Sequence, residues 1–255
     1  MRIVSIVLAT TALFLSNMQG VYASSEKDIA QSLANPARSA ADRERDARDK
    51  PQDVLELAGF KKGMVIADVF GGGGYYAEIL SRAVGNKGKV LLLNNGPYDS
   101  FAGKEWQARQ KTQGLANVEY RKVENTNLTL QPNSLDGALI ILSYHDLFMV
   151  DASYGWTAID DKAFMGQIVN ALKPNGKLLI VDHTGKEGTG TTETGTLHRI
   201  EEKAVIKNMR SYGLEWSSSI SVLRNKADTL TVNVFDPAIK GKTDRFVHVY
   251  HKPAK

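Results

Sequence analysis

The chain has 255 residues, no cysteine and a formal net charge of +4, which excludes disulfides and thiolate chemistry. Acids and bases are interleaved along it, so the basic cluster that nucleic-acid binding requires is missing. The length suits one domain with a sizeable core.

Met1-Arg2 is followed by an apolar run from Ile3 to Leu15 and a small-x-small exit at Val21-Tyr22-Ala23. This pattern reads as a secretory signal peptide over residues 1–23, with the mature chain starting at Ser24. The run is shorter than the roughly 20 apolar residues that span a bilayer, so no stable membrane insertion is expected after cleavage. Loss of Arg2 lowers the charge from +4 to +3. The expected location is outside the cytosol, in the periplasm, where the lack of cysteine also suits an oxidising environment.

Residues 24–50 form a charged arm ending in Asp42-Arg-Glu-Arg-Asp-Ala-Arg-Asp-Lys50. Its acids and bases are spaced to pair along a helix. A domain over residues 51–255 follows. Pro51 opens a helix with Val54, Leu55, Leu57 and Ala58 on its apolar face, stopped by Gly59. Strand one is expected at Val65–Phe70, with its helix over Tyr75–Val84. Strand two spans Lys89–Leu93, and a helix covers about 103–113. Strand three is Val118–Val123, and strand four is Gly137–Ser143. A helix over Asp161–Leu172 ends at Pro174-Asn-Gly176 before strand five, Lys177–Asp182. The last helix lies near 201–211, and two strands follow near 214–223 and 245–251. Apolar strands separated by helices predict an α/β fold with a mostly parallel sheet covered on both faces. Ligands of such sheets sit beyond the carboxyl ends of the strands. Here those ends are polar: Asp68 to Gly74, Asn94-Asn95, Glu124-Asn125, Tyr144-His145-Asp146 and Asp182-His183.

The turn after strand one, Asp68-Val-Phe-Gly-Gly-Gly-Gly74, is the most informative of these ends. Strand, glycine turn and helix together let a nucleotide-like ligand approach bare backbone. A dinucleotide fingerprint counted from Gly71 ends wrongly on Tyr76, whereas counted from Gly72 it ends on Ala77, a tolerated variant. A phosphate loop would need a following Gly-Lys-Ser/Thr. The spacing acid-x-G-x-G-x-G fits better, with Asp68, Gly72 and Gly74 in place and Phe70 at the first glycine position.

On that motif the chain resembles class I S-adenosylmethionine-dependent methyltransferases over residues 51–255. Ala171-Leu-Lys-Pro-Asn-Gly-Lys-Leu-Leu-Ile-Val-Asp182 resembles their passage into strand five, and the two last strands resemble their closing antiparallel hairpin. Three segments are similar, more narrowly, to a group of exported bacterial methyltransferases: Asp46-Ala-Arg-Asp49, Thr194-Gly-Thr-Leu-His-Arg-Ile200 and Asn233 to Phe246. The resemblance implies a Rossmann-like fold, with a seven-stranded, mostly parallel sheet, helices on both faces and a C-terminal antiparallel hairpin. It also implies S-adenosylmethionine as cofactor. Asp68, Phe70, Gly71, Gly72, Gly73 and Gly74 would surround its amino-acid end. Asn94 and its neighbour Asn95 stand where the family places an acid for the ribose, and Glu124 or Asn125 would lie near the adenine. An amide in place of that acid costs about 1–2 kcal/mol of charge-assisted hydrogen bonding.

Methyl transfer asks the protein to align the reactants and sometimes to remove a proton. Tyr144, His145 and Asp146 follow strand four and His183 follows strand five, so all four are candidates for the catalytic cleft. His198 follows the Gly/Thr-rich stretch 184–196, which has the composition of a substrate lid. No histidine–carboxylate spacing matches a zinc motif, so no metal is expected. The sequence reading is therefore an exported methyltransferase acting on a small-molecule acceptor. The alternatives are an exported binding protein that keeps the fold without catalysis, and a nicotinamide-dependent oxidoreductase.

Overall fold

The structure is a computed structural model that describes residues 26–254. The signal peptide expected over 1–23 lies outside the described residues, as do residues 24 and 25. The elements run α1 (26–33), α2 (Ala40–Asp49), α3 (Pro51–Ala58), β1 (Val65–Val69), α4 (Tyr75–Val84), β2 (Lys89–Asn94), α5 (Gly96–Gln113) and β3 (Val118–Lys122). They continue with β4 (Leu135–Ile141), α6 (Asp161–Ala171), β5 (Leu172–His183), α7 (Thr194–Leu197), α8 (Glu202–Ser211), β6 (Glu215–Ile220) and β7 (Arg245–His251).

Seven strands form one sheet in the order β3-β2-β1-β4-β5-β7-β6. The first five are parallel, and β7 pairs antiparallel with both β5 and β6. The sheet is apolar on both sides because successive residues of a strand face opposite ways. Ala67, Val69, Leu91 and Leu93 join a core with Phe164, Met165 and Ile168 of α6 and Val205 and Met209 of α8. Ile66, Val90 and Leu92 join the other, with Val54 and Leu55 of α3 and Ile79, Leu80 and Ala83 of α4. Chain order reverses between β1 and β4, so the crevice for a ligand opens at their carboxyl ends.

The parallel sheet, its helical cover and the closing hairpin follow the sequence expectation, and two boundaries differ from it by five residues or more. The helix after β2 starts at Gly96, directly behind the strand, because the Asn95 side chain caps it by accepting from the Tyr98 amide at 3.1 Å, with Pro97 in the first turn. Strand β5 starts at Leu172 and includes the Pro174-Asn-Gly176 turn residues, with a register shift opposite Leu135 and Gly137. The charged arm is folded onto the domain. Ile29 is fully buried, and Ser32 Oγ donates to the Ile79 carbonyl at 2.6 Å. Arg109 of α5 forks onto Asp42 of α2. No described helix is long and apolar enough to cross a membrane.

Candidate active site

The turn that leaves β1 is shaped by left-handed backbone at Phe70 (φ 55°), Gly72 (φ 58°) and Gly74 (φ 80°). Glycine adopts this region freely, whereas a side chain there is strained. Phe70 therefore holds a backbone conformation that glycine adopts at lower cost. Asp68 lies beneath the turn, so close that a Cβ on Gly71 would fall 2.4 Å from its carboxyl group. Its Oδ2 is buried and has no hydrogen-bond partner among the described residues. Burial pushes the Asp68 carboxyl up to about 7, against the opposing effect of the Ala77 amide.

These features fit the amino-acid end of S-adenosylmethionine, the cofactor implied by the resemblance. An orphaned carboxylate oxygen suits an ammonium donor, and the turn keeps bare backbone around it. The nucleoside end is organised differently. Asn94 is fully buried: its Oδ1 accepts from the Gly72 amide at 3.0 Å, and its Nδ2 donates to the Gly72 carbonyl at 2.9 Å. Its polar atoms thus serve the turn. Asn95, besides capping α5, donates to Asn125 Oδ1 at 3.1 Å. Glu124 is exposed and forms a bridge with Asn127. The Phe70 ring stacks on Tyr98 (5.0 Å, 6°) and meets Trp156 edge-on at 5.8 Å. Aromatic side chains thus fill the space beside the turn.

The second half of the crevice belongs to β4 and β5. Asp182, at the end of β5, is fully buried and accepts from the His145 amide, His145 Nδ1 and the His183 amide, each at 2.8 Å. With Nδ1 committed to Asp182, the His145 Nε2 faces Asp146 Oδ1 at 3.2 Å. Burial opposes a charge on His145, but Asp182 and Asp146 outweigh it and hold the imidazole at about 9. For Asp182 burial works upward, yet His145 holds it below the usual carboxylate range. Asp146 is raised by burial, with His145 and Tyr98 countering in part. Tyr98 Oη donates to Asp146 Oδ2 and Trp156 Nε1 to the Asp146 carbonyl, both at 2.8 Å. Tyr98 therefore touches both halves of the crevice, through its ring and its hydroxyl.

His183, the last residue of β5, and His198, just after α7, join this cluster, with ring centroids 6.1 and 5.4 Å from that of His145. His183 Nδ1 is bonded to Thr243 Oγ1 at 2.8 Å, and burial drives its imidazole down to about 3. His198 is half-buried, and its pKa is lowered by burial and by the charge of His145. Its position follows from its neighbour: Arg199 is fully buried, forks onto Asp228 at 2.9 and 3.0 Å, and donates to the Thr184 and Val232 carbonyls. The Gly/Thr-rich segment is clasped at its base by the Gly185 amide on the Ile200 carbonyl and the Ile200 amide on the His183 carbonyl. The segment read as a lid is thus pinned at the end that carries His198.

Of the five catalytic candidates, the structure brings His145, Asp146, His183 and His198 together. Tyr144 is placed apart: its ring is fully buried in the core, with its hydroxyl against Tyr212 and Asn208 of the α8 region. Asp182 and Tyr98 were missed as site residues. Asp182 carried a sequence signal, as an acid closing an apolar strand. Tyr98 carried none, because its role depends on α5 starting at Gly96.

Comparison with known proteins agrees with this architecture. A model of the ubiE/COQ5 methyltransferase family matches residues 47–192. The Ubiquinone/menaquinone biosynthesis C-methyltransferase UbiE of Shewanella piezotolerans is 28% identical over 131 residues, 51% of this chain and 46% of that protein. The chain thus spans about half the length of the curated relatives it matches. Among solved structures, a SAM-dependent methyltransferase from Aquifex aeolicus superposes with a TM-score of 0.57 at 21% identity, covering 79% of this chain and 88% of that one. The [4+2]-cyclase SpnF does so with a TM-score of 0.54 at 18% identity, covering 87% and 86%. These folds are those of class I methyltransferases, and the family indicates S-adenosylmethionine as cofactor. With more than half of its length matched by that model, and with the motif turn and strand order in place, the chain belongs to the ubiE/COQ5 methyltransferase family.

Proposed function

We propose that the protein is an exported, periplasmic methyltransferase that transfers the methyl group of S-adenosylmethionine to a small apolar molecule bearing an ionisable group. The reading rests on one juxtaposition: the Asp68–Gly74 turn and the His145–Asp182 cluster share one crevice, joined through Tyr98. Bound S-adenosylmethionine supplies an electrophilic methyl group. Asp68 and the turn backbone would hold its amino-acid end, while His145, Asp146 and His198 would orient the acceptor. Exposed Phe101 packs on Tyr98 and exposed Phe235 on His198, which favours an acceptor with an apolar body. The sequence relatives are named for C-methylation in quinone biosynthesis, and a flat cyclic acceptor of that kind suits this rim. Export rests on the pattern of residues 1–23, and the Asp46–Asp49, Thr194–Ile200 and Asn233–Phe246 segments favour the narrower exported group.

A second reading, a binding protein with the fold but no transfer, is favoured by Phe70 beside the turn and by the commitment of Asn94 to Gly72. Calorimetric titration with S-adenosylmethionine and S-adenosylhomocysteine, followed by turnover assays on quinol-like acceptors, separates the two. Micromolar binding with turnover supports the enzyme, and binding without turnover on any acceptor supports the second reading. Absence of binding at millimolar ligand removes the enzyme reading and leaves the fold with a different ligand. Detecting the full-length precursor and a shortened form in cell fractions tests export.

A further inference from the structure

The His145 cluster has the make-up of a metal site, a reading independent of methyl transfer. One ring nitrogen each of His145 and His198 and one carboxylate oxygen of Asp146 lie within 4.8 Å of one another. His145 and Asp146 are buried and His198 is half-buried, so solvated surface charge does not account for the group. Two donors are already at ligand spacing. His145 Nε2 and Asp146 Oδ1 are 3.2 Å apart, and two ligands on a tetrahedral zinc ion with 2.1 Å bonds stand about 3.4 Å apart.

Each of these two donors is also held from behind. The Asp182 carboxylate takes His145 Nδ1 at 2.8 Å, which leaves Nε2 to face the centre of the cluster. This carboxylate–histidine arrangement is the one that orients imidazole ligands on metals. Tyr98 Oη takes Asp146 Oδ2 at 2.8 Å, leaving Oδ1 for the centre. His198 is presented differently. Its backbone is in the left-handed region (φ 53°), where a side chain is strained, and the buried Arg199–Asp228 pair fixes the residue that follows it. No hydrogen bond holds its imidazole among the described residues, so none has to break for the ring to close the last part of the distance.

We propose that His145, Asp146 and His198 bind a first-row divalent transition ion of the zinc type. Two imidazoles and one carboxylate suit that class, whereas magnesium and calcium demand oxygen donors throughout. Three protein ligands leave one tetrahedral position for a water molecule or an ionisable group of a substrate. The ion displaces the proton from His145, and the carboxylates of Asp146 and Asp182 then balance the dication. His183, bonded to Thr243, stays outside the donor set. The spacing of these residues along the chain concealed the site, because His198 arrives from a different loop than His145 and Asp146.

The test uses the purified chain without S-adenosylmethionine, so it is blind to whether the protein transfers methyl groups. The chain is stripped with chelator and titrated with Co2+, read by visible absorption, and then with Zn2+ in competition. One equivalent of Co2+ with a tetrahedral d–d spectrum, displaced by Zn2+, is expected. His198→Ala, at a half-buried position, should weaken binding at least a hundredfold while far-ultraviolet circular dichroism stays that of the wild type. Asp182→Asn and Tyr98→Phe, which leave all three ligands, should weaken it about ten- to a hundredfold. Failure of the wild type to bind one equivalent, or binding by a folded His198→Ala chain as tight as the wild type, overturns the proposal.

Discussion

Asn94 grips Gly72 by both polar groups of that residue's backbone, accepting from its amide at 3.0 Å and donating to its carbonyl at 2.9 Å. An aspartate could make only the first of these contacts. Asn94→Asp, which restores the acid of the family pattern, should therefore disturb the turn. It would bury a charge at a fully enclosed position and leave the Gly72 carbonyl unpaired. A loss of about 2–4 kcal/mol is expected from the unmet carbonyl and the desolvated carboxylate together. Urea unfolding measures it, and an unchanged or raised midpoint would show that the amide donor is dispensable.

Phe70 combines a strained backbone with a well-packed ring. The left-handed residue costs about 1–3 kcal/mol, while deleting a buried phenylalanine ring costs about 3–5 kcal/mol. Phe70→Gly should thus lower stability by a net of about 2 kcal/mol, the ring loss outweighing the strain relief. It also clears the space beside the turn, so S-adenosylmethionine should bind several-fold more tightly by calorimetry. Weaker binding in the variant would mean that the ring supports the ligand rather than excluding it.

The glycines of the turn are unequal. A Cβ on Gly73 would meet the carboxyl end of Glu105, a flexible and largely exposed side chain that can swing away. A Cβ on Gly74 would lie 2.7 Å from the indole of buried Trp106, at a φ of 80°. Gly74→Ala should cost about 2–4 kcal/mol, combining overpacking with left-handed strain. Gly73→Ala should cost less than about 1 kcal/mol, as an accommodated change near the surface does. Thermal unfolding of the two variants orders them, and equal melting temperatures would contradict this account.

The arm carries an acid-sensitive contact. Asp49 is buried; that alone would raise its carboxyl, but Arg45 at 2.7 Å and Arg245 at 2.8 Å hold it at about 2 rather than 3.8. A depressed carboxylate contributes stability that is whole above the unfolded value and drains away as pH falls through the folded one. The shift from 3.8 to about 2 corresponds to roughly 2 kcal/mol. The stability gap between wild type and Asp49→Asn should shrink by that amount between pH 5 and pH 2. A gap independent of pH would assign the contact no such role.

How much of this was legible in the sequence differs between the two halves of the crevice. The strands could be read because Ile66, Ala67 and Val69 leave Asp68 as the lone polar residue and Val90 to Leu93 are apolar at every position, the mark of a sheet covered on both faces. Asp68 and the glycines could be read because backbone constraints appear as residue identities. Asn94 could be placed but its partner could not. An amide that completes a ribose site and one that clasps a turn carry the same letter, and only the register of β2 against β1 separates them. The approach of His198 to His145 depends on Arg199 finding Asp228 across 29 positions, a long-range pairing with no local pattern. Tyr144 shows the converse. It sits beside His145 in the chain, yet the short 3-10 turn His145–Phe148 sends the two side chains to different regions.

The ion pair between Asp49 and Arg245 joins residues 196 positions apart. Its acid belongs to the first part of the described chain and its base to the last strand, which lies between β5 and β6 in the sheet. During synthesis all of residues 50–244 therefore emerge before this fastening, or the β5–β7 ladder, can form. The arm has no partner on β7 until Arg245 emerges, and loop closure over such a span is slow. Order of synthesis thus leaves β5 and β6 unjoined until β7 is made. A chain cut before Arg245 would leave β5 without its β7 neighbour, while the arm would keep its contacts to Ile79 and Arg109.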